Sequence, residues 1–171
     1  MPENSKKVKP DSKAIQTLFR TVIKNHYSLL QMIDRKSNII LTINSILISL
    51  MLGVSFIAPD GQKQMIDLIT RSIINFGLIS MVFAIFAIRP HNYKNVDSSL
   101  YSGVFTKMSK EDFHSKFKLM MLSGDTIYDN MIDDLYHLGK AIKNRQVLVN
   151  FAIGAFVLGI LISLGISLFI S

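Results

Sequence analysis

The amino-acid sequence predicts an all-α membrane protein with three transmembrane helices, of which the first and third extend into a cytoplasmic helical bundle. Three blocks contain no Asp, Glu, Lys, Arg or Pro: residues 39–58, 72–88 and 147–170. A helix needs about 20 apolar residues to cross the hydrocarbon layer, with about 17 as the lower limit, so each block is long enough. Polar stretches with helical periodicity lead into the first and third blocks, and the basic residues are unevenly distributed.

The polar stretch before the first block is predicted to be an amphipathic helix. Residues 11–34 contain neither Pro nor Gly, and their apolar positions recur at the spacing of one helical face. These positions are Ile15, Leu18, Phe19, Val22, His26, Leu29, Leu30 and Ile33. We expect the cytoplasmic segment 1–37 to continue into the span at 38–58 as one helix of about 46 residues, which Pro59 and Gly61 should end.

The rest of the chain repeats this arrangement in the reverse order. We expect an extracytoplasmic loop at 59–71, the second span at 72–88, a cytoplasmic loop and amphipathic helix at 89–146, and the third span at 147–170. Ser109 and Asp112 resemble a capping box with a shorter acid than usual, and Gly124 is a candidate kink. Two amphipathic helices on one side favour pairing into a bundle, and the alternative is a helix lying alone on the membrane surface.

The basic residues predict the orientation in the lipid bilayer. If the three spans alternate in direction, 17 of the 19 Lys and Arg residues lie on one side, in segments 1–37 and 89–146. The positive-inside rule then places the N-terminus in the cytoplasm and the C-terminus outside. Because orientation and contact with anionic headgroups account for these charges, we expect no nucleic-acid partner. The first span follows a long polar segment without a cleavage site, so we interpret it as a retained span and not as a signal peptide.

Small residues form a ridge on each span. The ridges of the first and third spans contain Ser45, Ser49, Gly53, Ala155, Gly159, Ser163 and Ser167, at four-residue intervals within each span. Such ridges allow helix backbones to approach closely in lipid, either within one chain or between the chains of a homo-oligomer. Asn44 is a strong polar group inside the first span and is expected to face another helix or its own copy.

The sequence contains no recognisable catalytic or metal-binding pattern. There is no cysteine, and the four histidines (His26, His91, His114 and His137) lack metal-ligand spacing. Asp112 with His114, or Asp133 and Asp134 with His137, could form acid–base pairs, but we interpret them as solvated helix charges. We therefore expect neither an enzyme nor a metal or cofactor site. The spans contain no charged residue, which argues against a proton relay or an ion-coupled transporter.

Three short motifs resemble the transmembrane effectors of bacterial Pycsar antiphage systems. The first is Met32-Ile33-Asp34-Arg35-Lys36-Ser37-Asn38-Ile39-Ile40-Leu41, followed by Asn44, at the start of the first span. The second is Ala87-Ile88-Arg89-Pro90, which closes the second span. The third is Tyr128, then Asp134-Leu135-Tyr136-His137-Leu138-Gly139, with Lys143 or Arg145 at the membrane border. Their order and spacing carry the resemblance over roughly residues 25–160.

The resemblance implies a multi-pass protein of the bacterial inner membrane that responds to cyclic CMP or cyclic UMP made by a partner pyrimidine cyclase. A binding site for such a nucleotide requires a cation, hydrogen-bonding groups and an aromatic face. Our candidate ligand residues are Arg89, His91, Tyr93, Lys94, Arg35, Lys36, Tyr128 and Tyr136. The resemblance further implies that the activated effector impairs the membrane and that the infected cell dies before the phage matures.

Two other functions remain open at this point. The chain could be a small membrane adaptor or scaffold whose cytoplasmic helices dock a partner protein. A constitutive channel is the third possibility, although the spans offer no pore-lining charge.

Overall fold

The computed structural model describes residues 12–89, 108–122 and 124–170, and these residues form four helices. The helices are α1 (Ser12–Ile57), α2 (Lys63–Ile88), α3 (Lys110–Leu122) and α4 (Gly124–Ile170). Three of them (α1, α2 and α4) are long and apolar enough to cross a membrane. The predicted class, an all-α membrane protein with three transmembrane helices, is confirmed.

Helix α1 contains 46 residues, which is the length expected from the sequence. It ends at Ile57, two residues before Pro59. The amide of Gln62 donates to the carbonyl of Pro59 at 3.0 Å and closes a turn there. Because proline cannot continue the ladder of helical hydrogen bonds, the chain turns here and enters α2 at Lys63.

Helix α2 extends through most of the 59–71 segment, since it begins at Lys63 and not near residue 72. No Pro or Gly follows Gly61 in that segment, so nothing stops the helix from starting early. Two contacts hold this first part of α2 against α1. The Ser55 hydroxyl donates to the Asp67 carboxylate, and the Thr70 hydroxyl lies 3.5 Å from the carbonyl of Met51.

The start of α3 has the N-cap hydrogen bond of the predicted capping box, with the Asp112 carboxylate bonded to the Ser109 hydroxyl in place of the Ser109 amide. The Asp112 amide donates to Ser109 Oγ at 3.1 Å, and the Ser109 hydroxyl donates to the Asp112 carboxylate at 2.8 Å. The expected single helix from this cap into the third span is described as two helices, α3 and α4, on either side of residue 123. Residue 123 and the segment 90–107 lie outside the described residues.

The contacts of the chain divide it into two compact units. The described part of one, which we call the amphipathic unit, comprises residues 12–28, 108–122 and 124–139; that of the other, the apolar unit, comprises 29–89 and 140–170. The core of the apolar unit is built from Ile33 on α1, Ala87 on α2 and Val149 on α4. Each is at most 2% exposed, so all three spans contribute to one packed core.

Candidate functional site

One arginine connects three helices at one end of the apolar unit. Arg145 of α4 donates from Nη2 to the carbonyl oxygen of Arg89 at 3.1 Å, immediately after the end of α2. Its Nη1 lies 3.7 Å from Oδ1 of Asp34 on α1, an ion-pair distance that is too long for a hydrogen bond. We call this set, together with the buried Ser37, the span-end junction.

The local sequence explains why the carbonyl of Arg89 is available to Arg145. Arg89 precedes Pro90, and a residue before proline is pushed out of the helical region into an extended conformation. Arg89 accordingly has a ψ of 129° and ends α2. The last carbonyls of a helix lack partners within that helix, so a planar guanidinium with several donors is well suited to satisfy one of them.

Three buried polar atoms of the span-end junction have no hydrogen-bond partner among the described residues. These buried atoms are Asp34 Oδ1, Ser37 Oγ and Arg145 Nε. The Ser37 residue is fully buried, and the Arg145 side chain is 15% exposed.

A second contact between the spans lies further inside the apolar unit, and we call it the buried polar chain. Asn44 Nδ2 on α1 donates to Ser80 Oγ on α2 at 3.1 Å, and the Ser80 hydroxyl donates to the carbonyl of Ala152 on α4 at 2.7 Å. Asn44 is 1% exposed and Ser80 is fully buried. Water cannot replace these bonds in the hydrocarbon layer, which favours one register of the three helices.

The ridge of small residues on α2 faces the other two spans. Its members Gly77, Ser80, Ala84 and Ala87 are all buried. A Cβ atom added to Gly77 would lie 3.1 Å from Asn44 Oδ1 and 3.1 Å from Ile48 Cδ1 of α1. On α4, a Cβ added to Gly159 would lie only 2.6 Å from the Cβ of Phe76. The spans of one chain therefore approach closely at these two glycines.

The predicted packing residues of α1 and α4 do not all take part in these contacts. Gly159 and Ser163 of α4 are buried, and the Ser163 hydroxyl donates to the carbonyl of Gly159 at 2.8 Å. Ala155 and Ser167 are half-buried. The ridge of α1 is exposed over Ser45, Ser49 and Gly53, and Gly53 has no atom within 4 Å of an added Cβ. Packing of this ridge against a second chain stays a prediction.

Replacing Ser80 with alanine tests the buried polar chain. The change removes the acceptor of the Asn44 amide and the donor to Ala152, so we expect the free energy of unfolding to fall by about 0.5–2 kcal/mol. Unfolding of the purified protein in mixed micelles, followed by circular dichroism, measures the change. Ser45→Ala is the matched control, because Ser45 is exposed and its hydroxyl donates to the carbonyl of Leu41 in its own helix. Equal losses in both variants would contradict a role for the chain between helices.

The amphipathic unit contains an open groove of about 340 Å³ on its surface. Its lining residues come from one face of α1 and from α4: Gln16, Phe19, Arg20, Ile23, Tyr128 and Met131. The rings of Phe19 and Tyr128 stack with their centroids 5.9 Å apart and their planes inclined by 25°. We call this feature the aromatic groove.

The described candidate ligand residues are distributed over both compact units. Tyr128 lines the aromatic groove, whereas Tyr136 is 68% exposed and contacts the ring of its neighbour His137. Arg35 and Lys36 are exposed on α1, and Arg89 contributes its backbone carbonyl to the span-end junction. His91, Tyr93 and Lys94 lie outside the described residues.

Three residues that line the aromatic groove or join the spans were not among the candidates from the sequence: Gln16, Arg20 and Ser80. Gln16 and Arg20 lie on the polar side of the amphipathic stretch 11–34, and Ser80 lies among the small residues of the second span. A usable signal existed for the groove, because positions 16, 19, 20 and 23 follow the i, i+3, i+4, i+7 spacing of one helical face. That face combines an amide, an aromatic ring and a cation.

One of the comparisons with known proteins identifies a family. The model of the Pycsar effector protein domain matches residues 17–171 of the chain, which include all three spans and both units. Neither the curated proteins nor the solved structures give a significant match.

Proposed function

The chain belongs to the Pycsar effector family, and from this premise we propose that a cyclic pyrimidine nucleotide activates it and that activation impairs the membrane. Membership makes the protein a transmembrane effector of an antiphage system. The proposed ligand is cyclic CMP or cyclic UMP, made by a partner pyrimidine cyclase after infection. The proposed outcome is loss of the inner-membrane barrier and death of the infected cell, with no catalytic step in the effector itself.

The span-end junction is the observation that best supports a gated effector. A ligand changes a conformational equilibrium only if it binds one arrangement more tightly than the other. The junction holds α1, α2 and α4 together through one side chain, Arg145, by one hydrogen bond and one long ion pair with the partly exposed Asp34. Because a weak contact holds the span ends together, a ligand that binds the open arrangement only modestly more tightly than the closed one can shift the equilibrium toward it.

The continuity of the helices supports a path from ligand to membrane. Helix α1 contributes to both compact units without a break, and α4 does the same. Between Ser12 and Leu52, α1 contains neither Pro nor Gly, which are the usual causes of a kink. We propose that the N-terminus and the amphipathic unit lie in the cytoplasm, where the nucleotide is made, and that the C-terminus lies outside.

The proposal is tested by following the membrane potential in cells that express the effector together with a pyrimidine cyclase. We expect depolarisation and arrest within minutes of induction of an active cyclase, and no change with a catalytically inactive one. Vesicles that contain the purified effector should release a trapped dye on addition of cyclic CMP or cyclic UMP. If potential, survival and dye retention are unchanged in the presence of both nucleotides, the gated-effector function is wrong and the adaptor function is favoured.

A further inference from the structure

We propose that the aromatic groove is the site at which the cyclic pyrimidine nucleotide binds. This inference rests on the proposed function, because it takes the class of ligand from there. The groove itself is a feature of the structure and does not depend on the proposed function. It is lined by two half-buried aromatic rings, one cation, one amide and two apolar side chains of the amphipathic unit.

The groove offers a separate partner to each part of such a ligand. The cyclic phosphate carries one negative charge, which the guanidinium of Arg20 can bind through charge-assisted hydrogen bonds. The flat pyrimidine base can stack on the aromatic wall made by Phe19 and Tyr128. The Gln16 amide has both donors and an acceptor for the polar edge of the base or for the ribose hydroxyl. The volume of about 340 Å³ falls at the lower end of the range for small-ligand pockets, as a mononucleotide requires.

The polar groups of the groove are available for a ligand. Among the described residues no carboxylate pairs with Arg20, and no side chain or carbonyl bonds to Gln16. Both side chains are exposed beside half-buried rings. An arginine that only stabilised the helix surface would gain from an acid three or four residues away, and the neighbouring positions on α1 provide none.

The position of the groove also gives binding a mechanical consequence. Its walls come from α1, through Phe19 and Arg20, and from α4, through Tyr128. A nucleotide held by Arg20 and by the ring of Tyr128 would contact both helices, and each of these helices continues into a span. Binding would therefore shift the span of α1 relative to the span of α4, although the nucleotide itself makes no contact inside the membrane.

Binding of cyclic CMP and of cyclic UMP to the purified full chain in lipid nanodiscs tests the proposal by isothermal titration calorimetry. We expect Arg20→Gln to weaken binding by about 10- to 100-fold, as loss of a charge-assisted hydrogen bond to phosphate predicts. Tyr128→Leu should weaken binding by about 5- to 100-fold through the loss of stacking, whereas Tyr128→Phe should stay within about threefold of the wild type. Lys24→Gln is the matched control, because it removes one positive charge from an exposed position of α1 that does not line the groove.

The outcomes separate this inference from the proposed function. If the wild-type chain binds a nucleotide and Arg20→Gln binds it as tightly as Lys24→Gln does, the groove is not the site, although the function stands. If the wild type binds neither nucleotide, the function and the inference fail together. Thermal melting of each variant shows whether it folds, and Arg20→Lys, which keeps the charge, should restore part of the affinity. A folded Arg20→Lys variant no tighter than Arg20→Gln would overturn the role of the cation.

Discussion

Replacing Gly159 with alanine should destabilise the protein by about 1–3 kcal/mol, although alanine is the better helix former. The added methyl group would lie 2.6 Å from the Cβ of Phe76, which sits next to the α2 backbone and has little freedom to move. The helices α2 and α4 must separate to make room, and the buried polar chain between Ser80 and Ala152 would lengthen with them. The midpoint of unfolding in mixed micelles measures the loss.

Gly154→Ala is the control for that experiment. Gly154 also lies on α4, but it is exposed and an added Cβ has no atom within 4 Å. The same chemical change should leave stability unchanged or raise it by up to about 1 kcal/mol, because glycine is the poorer helix former. The larger change Gly159→Leu should abolish toxicity and protection against phage. Equal stability of the Gly159 and Gly154 variants would show that the close approach of α2 and α4 is not a feature of the resting protein.

Replacing Arg145 with glutamine should make the effector toxic without any cyclase. The change removes the hydrogen bond to the carbonyl of Arg89 and the ion pair with Asp34. Because the Asp34 side chain is 44% exposed, the ion pair itself contributes little, and the two contacts together are worth about 1–2 kcal/mol. A loss of 1.4 kcal/mol changes an equilibrium about tenfold, so the fraction of chains with open span ends should rise by about that factor. The growth rate and the membrane potential of uninfected cells measure this rise.

Lys143→Gln distinguishes the span-end junction from the general effect of charge. Lys143 is exposed two residues away on α4, and its loss removes the same positive charge from the same border. Since basic residues at this border also orient the spans, both variants should be checked for normal insertion. Toxicity of Arg145→Gln alone supports the junction as the restraint on the resting state. Uninfected cells that grow equally well with either variant would show that Arg145 does not hold that state.

The elements that the sequence predicted correctly depend on local properties. The length of α1 follows from an unbroken helical pattern and from Pro59, both of which are visible in the chain itself. The cap formed by Ser109 and Asp112 likewise involves residues three positions apart. The early start of α2 at Lys63 was missed because a short polar helical segment carries no clear signal of its own.

The candidate site was harder to predict because it depends on distant parts of the chain. Arg145 was visible as a basic residue at the membrane border, but its partners lie on two other helices. The importance of Ser80 depends on the register that brings Asn44 and Ala152 to it, and no local pattern contains that register. Of the candidate ligand residues that the structure describes, only Tyr128 lines the aromatic groove.

The unbroken course of α1 also restricts how the gene can change in length. Ile33 and Asn44 both lie on α1 within the apolar unit and pack against the other spans, so each residue inserted between them would turn one relative to the other by about 100° about the helix axis. A single insertion would remove either Ile33 from the core or Asn44 from Ser80, whereas seven residues would leave the two within about 20° of their original relation. We therefore expect related chains to differ in length within this interval only in steps close to whole helical turns.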